Sequence, residues 1–253
     1  MRTMYTFRPV NADGGRFPPS VSAQQMCGLD QKWGDVNGDG IPDLVYLVGS
    51  QEPGSPFIQH ITLYIQDGRT GVTNSIPLRQ NAGYHPTVQL ADFAGNGVND
   101  ILVVIDSSGS GGYIYSYVFS YRNSQPYPLF DFEQFNQAHQ YTVNYQDNYK
   151  VKAASKNPQS TYIIDLTYKG KQYLSEIYDS NGKRKEPIQG DVNALSGLFP
   201  IDFERDGQYT LMALQRITGR YHADGLGYFM NVLKWNGSRF YPYQQWVWIN
   251  GTD

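Results

Sequence analysis

Asp35, Asn37, Asp39 and Asp43 stand at relative positions 1, 3, 5 and 9 of one short segment, around Gly40 at position 6. Oxygen-bearing side chains at alternate positions of a tight loop point inward together. That is the donor set of a hard cation, and Ca²⁺ takes six to eight oxygens at about 2.3–2.6 Å. Ile41, at position 7, would add its backbone carbonyl. An EF-hand would continue with a bidentate Glu at position 12 and a helix, but Tyr46 stands there. Residues 43–48 read as a β-branched and aromatic strand ending at Gly49. The expectation is a calcium loop that feeds a strand. Three carboxylates crowded in one loop would repel without a cation, and the ion's role would be structural, because the loop bridges adjacent strands that calcium would hold together in the folded state only.

The loop recurs. A second copy carries Asp92, Asn96 and Asp100, with Val98 offering a carbonyl and Ala94 where a ligand is expected. A third carries Asp202, Glu204 and Asp206, with Gln208 offering a carbonyl and Thr210 in place of the last Asp. These starts fit one period of about 55 residues, the range of solenoids, propellers and arrays. The period calls for a further unit near Asp147, where residues 141–151 read as two strands and a tight turn without the ligands.

Each unit parses into four strands. First strands run into the acidic loop (26–35, 87–92, 140–145, 197–202) and second strands leave it (44–49, 100–106, 149–154, 209–217). Third strands end in turns such as Asp67-Gly68 and Asn236-Gly237, which accept positive φ. Fourth strands are expected at 72–78, 126–132, 173–178 and 240–249. Four-stranded antiparallel meanders repeated radially make a β-propeller. The expected fold is therefore all-β, a propeller of about four four-stranded blades, with five blades or an open repeat array as the alternative. Repeats are placed at about 26–80, 84–133, 139–190 and 194–250 of a single domain over 23–253. Residues 1–22, with their Gly-Gly and Pro-Pro steps, read as a leader or an appended segment.

The D-x-N-x-D-G-x-x-D-L loop between first and second strands resembles the FG-GAP repeats of integrin-α-type propellers and the related VCBS repeats of bacterial proteins. The resemblance covers about residues 30–250 in layout, and its specific motif is complete at 35–44. It implies structural calcium and an adhesive or surface-associated role, at a cell, spore or matrix surface. The residues alone leave the compartment open.

Composition agrees with strands and turns: 21 Tyr, 26 Gly and 14 Pro among 253 residues. A formal charge of −3 gives no electrostatic case for nucleic acid. Seven of the nine lysines fall between Lys150 and Lys185, which reads as a lysine-protected solvated edge. The single Cys27 cannot form an intramolecular disulfide. No apolar run is long enough to span a bilayer.

If acidic loops join strands one and two, the other connections emerge at the opposite end, and loops on a rigid scaffold are where binding usually lives. Tyr84, His85, Ser108, Tyr221, His222 and Asp224 are the candidate ligand-binding side chains there. An equal alternative is that they only cap packing. The leading functional reading is a non-catalytic, calcium-stabilised binding module for a protein or glycan. A polysaccharide hydrolase or lyase is a second reading. It would need two carboxyl groups about 5–9.5 Å apart in a pocket, and the entries to the first strands carry no acid. A structural subunit of a surface layer or coat, assembling through tyrosines and strand edges, is a third. Oligomeric state is left open.

Overall fold

The computed structural model describes residues 25–107, 109 and 111–249. The expected leader, 1–22, and Ser108 lie outside the described residues. The protein divides into two compact units. The first takes in residues up to Gly109, Ile114–Phe130 and Glu204–Gln208. The second comprises Ser110–Tyr113, Asp131–Phe203 and the residues from Tyr209 onward.

The first unit is built from two antiparallel four-stranded meanders. One runs β1 (Gln25–Gly34), β2 (Asp43–Gln51), β3 (Ile58–Gln66) and β4 (Thr73–Pro77) in that order. The other runs β5 (Tyr84–Ala91), β6 (Asp100–Asp106), β7 (Ile114–Ser120) and β8 (Tyr127–Asp131). Period-two alternation selects the buried face: Val45, Leu47, Leu63 and Ile65 are buried, whereas Tyr46 and Tyr64, stacked at 5.3 Å, share the other face of their sheet. The sheets are tied by Val88 N–H donating to Asp30 Oδ2 (2.9 Å) and by Asn99 N–H donating to the Asp35 carbonyl (3.1 Å). Both four-strand parses agree with the sequence expectation.

In the second unit the expectation changes. β9 (Tyr141–Gln146), β10 (Lys150–Lys156), β11 (Gln159–Asp165), β12 (Gln189–Ile201), β13 (Thr210–Thr218), β14 (Gly225–Trp235) and β15 (Phe240–Trp248) form one antiparallel seven-stranded sheet, ordered β11-β10-β9-β12-β13-β14-β15. The sequence predicts two separate four-stranded blades here. The two halves fuse because β12 begins earlier than its motif suggests, so that Gln189 and Gly190 pair with Asn144 and Val143 of β9.

The sheet nearly closes into a barrel. Tyr162 on β11 donates to the Gln245 carbonyl on β15 (2.9 Å), and Ser160 Oγ donates to Gln245 Oε1. Inside the barrel Tyr141 Oη bonds Gln215 Oε1 (2.6 Å), Asn231 Nδ2 bonds Tyr141 Oη (3.1 Å), and Gln245 Nε2 bonds Asn231 Oδ1 (2.7 Å) and Ser155 Oγ (3.2 Å). Gln215 Nε2 extends the network to the Asn193 carbonyl (3.3 Å). Every strand of the barrel contributes to this polar network, and it spans the seam that backbone pairing leaves open.

Two helices replace expected segments. Residues 173–178, a strand by sequence, lie in and just after α2 (Gly170–Ile177). Tyr173 and Ile177, four apart, serve a helix face as well as Tyr173, Ser175 and Ile177 would serve a strand face, and a short run does not separate the two periods. Residues 136–139, which lie between the expected strands 126–132 and 140–145, fall in and just after α1 (Phe132–Ala138). Asp131 caps α1, accepting from Glu133 N–H (2.9 Å) and Gln134 N–H (3.2 Å).

Candidate functional site

The acidic loops sit where β1 meets β2 and where β5 meets β6. In the first, Asp35 accepts from Gly38 N–H (2.7 Å) and Gly40 N–H (2.9 Å), one on each oxygen. Asn37 Oδ1 accepts from Asp39 N–H, and Asp39 Oδ1 from Ile41 N–H. Asp39 Oδ2 takes the Arg69 guanidinium at 2.7 Å. Asp43 is fully buried; its Oδ2 accepts from Val36 N–H (3.1 Å) and its Oδ1 from Gly68 N–H (2.9 Å) and Asn37 Nδ2 (3.2 Å). Asp67, unnoticed as a partner in the sequence, takes the second Asn37 amide hydrogen at 3.1 Å.

The second loop repeats the pattern. Asp92 accepts from the N–H groups of Gly95, Asn96 and Gly97, Asn96 Oδ1 from Val98 N–H, and buried Asp100 from Phe93 N–H and Ala94 N–H. Burial pushes the Asp100 carboxyl up to about 6, against the pull of its hydrogen bonds. In the third loop Asp206 Oδ1 accepts from Gln208 N–H (3.0 Å), while Thr210 Oγ1 donates to the Ile201 carbonyl (2.9 Å). Gln208 Nε2 donates to the Phe93 carbonyl (3.2 Å), beside a cavity of about 470 Å³ that Asp92 and Asp206 help to line.

The donor types of the loops suit calcium, but their carboxylate oxygens are turned onto N–H and guanidinium groups. Among the described residues no three His, Cys, Asp or Glu side chains are grouped to hold a metal ion. In this arrangement the Arg69 guanidinium occupies Asp39 Oδ2 and three donors face Asp43, so a calcium ion in the first loop would compete with Arg69 for Asp39 and share Asp43 with those donors.

The ligand-face candidates fall in both units. In the first, His85 is exposed, holds φ 44°, and meets Asp106 at 3.1 Å, while Tyr84 packs edge-on against Phe57 at 5.2 Å. Ser50 Oγ and His60 Nδ1, 2.8 Å apart, are a pair that sequence separation conceals. In the second unit Tyr221 and His222 are exposed, but Asp224 is buried. Its oxygens accept from Tyr173 Oη (2.7 Å), Tyr145 Oη (3.2 Å), Arg220 N–H (3.1 Å) and Lys169 Nζ (3.1 Å). Burial would raise its pKa, yet these donors hold it below the usual carboxylate value. Burial also pushes the Tyr145 and Tyr173 phenols upward. Asp224 is thus an internal anchor and not part of an exposed loop.

The largest feature missed from sequence is a sheet face. Register places Phe199 opposite Met212, Leu214 opposite Met230, Met230 opposite Trp246, and Tyr228 opposite both Arg216 and Trp248. Residues directly opposite share a face, and here it is the face away from buried Ala213, Ile217 and Phe229. Phe199 is 45%, Trp246 39% and Trp248 52% exposed, and Tyr228 lies 6.0 Å from Trp248. The signal is present as Trp246 and Trp248, two residues apart on a strand, but exposure cannot be read from alternation alone.

With the meanders and their acidic turns in place, the protein is of the FG-GAP repeat type: the family described as FG-GAP-like repeat matches residues 35–103. The barrel corresponds to a second family, the YybI C-terminal domain, which matches residues 139–248. The protein belongs to the family of the Bacillus subtilis (strain 168) protein described as "Uncharacterized protein YybI", to which it is 53% identical over 220 residues, 87% of its own length and 84% of that relative. No solved structure matches. Among the described residues no helix is long and apolar enough to cross a membrane.

Proposed function

We propose that the protein is a non-catalytic binding module at a cell, spore or matrix surface, and that it engages a protein or glycan through the aromatic outer face of β12–β15. The observation that carries this reading is the exposure of Phe199, Trp246 and Trp248 on one side of one sheet. Aromatic side chains offer large contact area for little conformational entropy and dominate binding hot spots. The two meanders of the first unit are blade-like, and their acidic turns act in this reading as staples. Calcium in those turns belongs to the proposal: the donor types support it, and the N–H-turned carboxylates weigh against it.

The test is retention on a glycan array, on a cell-wall preparation and on immobilised surface protein. Trp246→Ala and Trp248→Ala together should weaken retention at least about tenfold, while His222→Ala leaves it unchanged. Retention that survives the double substitution, or no retention on any surface, would remove the reading. The same face is chemically suited to a second copy of the protein, which is how a coat subunit would use it. Self-association in sedimentation that disappears in the tryptophan variant would move the conclusion to assembly.

A further inference from the structure

We propose that Asn236 is a site of spontaneous deamidation, and that the acidic loops protect their own Asn-Gly steps from the same reaction. Asn-Gly occurs at 37, 96, 181, 236 and 250, the last outside the described residues. In this reaction the Gly backbone nitrogen loses its proton to water or hydroxide and attacks Cγ of the preceding Asn. The Cγ–Nδ2 bond of the carboxamide breaks and ammonia leaves, its extra proton supplied by water. Water then opens the resulting succinimide at either carbonyl to give aspartate or isoaspartate, with no change in oxidation state.

The reactive group is therefore the Gly nitrogen, and the structure treats the four described steps differently. Gly38 N–H donates to the Asp35 carboxylate and Gly97 N–H to the Asp92 carboxylate, both at 2.7 Å. An amide facing a carboxylate resists losing its proton, because the amide anion would face a like charge. Gly182 N–H donates to the Asp179 carbonyl at 3.1 Å. Gly237, in the exposed β14–β15 turn at φ 94°, donates to no acceptor among the described residues.

The electrophile is also prepared at this position. Asn236 Oδ1 accepts from Ser238 N–H, Ser238 Oγ and Arg239 N–H, each at 3.0 Å. Donors already aimed at that oxygen stabilise the negative charge it gains in the tetrahedral intermediate. Asn37 and Asn96 each have a single N–H on Oδ1, and their Gly nitrogens are held by carboxylates. Conversion at 236 places a carboxylate, or an extra backbone methylene, in the turn that sets the register of β15.

The experiment ages the full-length protein at mildly alkaline pH, natively and in urea, and follows each Asn-Gly peptide by mass and by separation of aspartyl from isoaspartyl forms. Natively, the Asn236 parent peptide should be lost before those of Asn37, Asn96 and Asn181. In urea the four should converge, and Asn236→Gln should abolish the early native product. Native loss at Asn37, Asn96 or Asn181 as fast as at Asn236 would overturn the proposal. So would the same ranking in urea, which would make the order a property of local sequence.

Discussion

Asp43 and Asp224 are both buried carboxylates, and each is held by a different kind of donor. Asp43 takes two backbone N–H groups and an amide, and so ties the β1–β2 turn to the β3–β4 turn. Asp43→Ala would leave those donors unsatisfied and should lower unfolding stability by roughly 2–4 kcal/mol, read from the denaturation midpoint. Asp224 uses two phenols, a backbone N–H and Lys169 instead. Its depressed pKa contributes stability that is present above the ordinary 3.8 and lost as pH falls through the folded value. His139 acts at higher pH. Burial, only partly opposed by the Phe135 carbonyl, holds its imidazole below 6.5. The unfolded protein takes up a proton there while the folded protein does not, so stability falls as pH drops below 6.5. Buried Asp100, raised to about 6, contributes the opposite sign below that pH in wild type and variant alike, so the thermal midpoint of the wild type should fall relative to that of His139→Phe, whose ring can keep the stack on Phe135, as pH drops below 6.5. A difference between the two that does not change with pH would assign the effect elsewhere.

Among the elements, the seam between β11 and β15 is the one without backbone pairing. Gln245 bonds across it through both its side chain and its carbonyl. Gln245→Leu should leave Asn231, Ser155 and Ser160 short of a partner, and hydrogen exchange should accelerate in β11 and β15 before β12 and β13. Uniform acceleration would mean that the barrel opens as one unit. This seam is not legible in the sequence. Asn231, Gln215 and Gln245 look like ordinary outward polar positions until the sheet curls and turns them inward. The strands of the first unit are legible, because alternation and the acidic motif agree there, but the expected tight Asp67-Gly68 turn is instead a loop over residues 67–72 with its positive φ at Gly71. α2 is not legible, because a short run with Tyr173 and Ile177 satisfies both periods, and burial of Asp224 is hidden because its partners lie 51 and 79 residues away.

For the whole molecule, the proposed function gives the acidic loops and the aromatic face separate roles. The loops hold strands together through N–H donors, and the motif that identifies the repeat family says nothing about what the protein contacts, since fold does not imply function. If calcium contributes to that stapling, chelation should lower the thermal midpoint and Asp39→Ala should reproduce most of the loss. An unchanged midpoint in metal-free buffer would leave the hydrogen bonds as the whole staple. The proposed working surface is instead on β12–β15, where Phe199, Tyr228, Trp246 and Trp248 share one side. The most direct test is retention of the wild-type protein and of the Trp246→Ala, Trp248→Ala variant on the same cell-wall preparation, with equal thermal midpoints confirming that both are folded. The account predicts that the wild type is retained and the variant is not; equal retention of the two would contradict it.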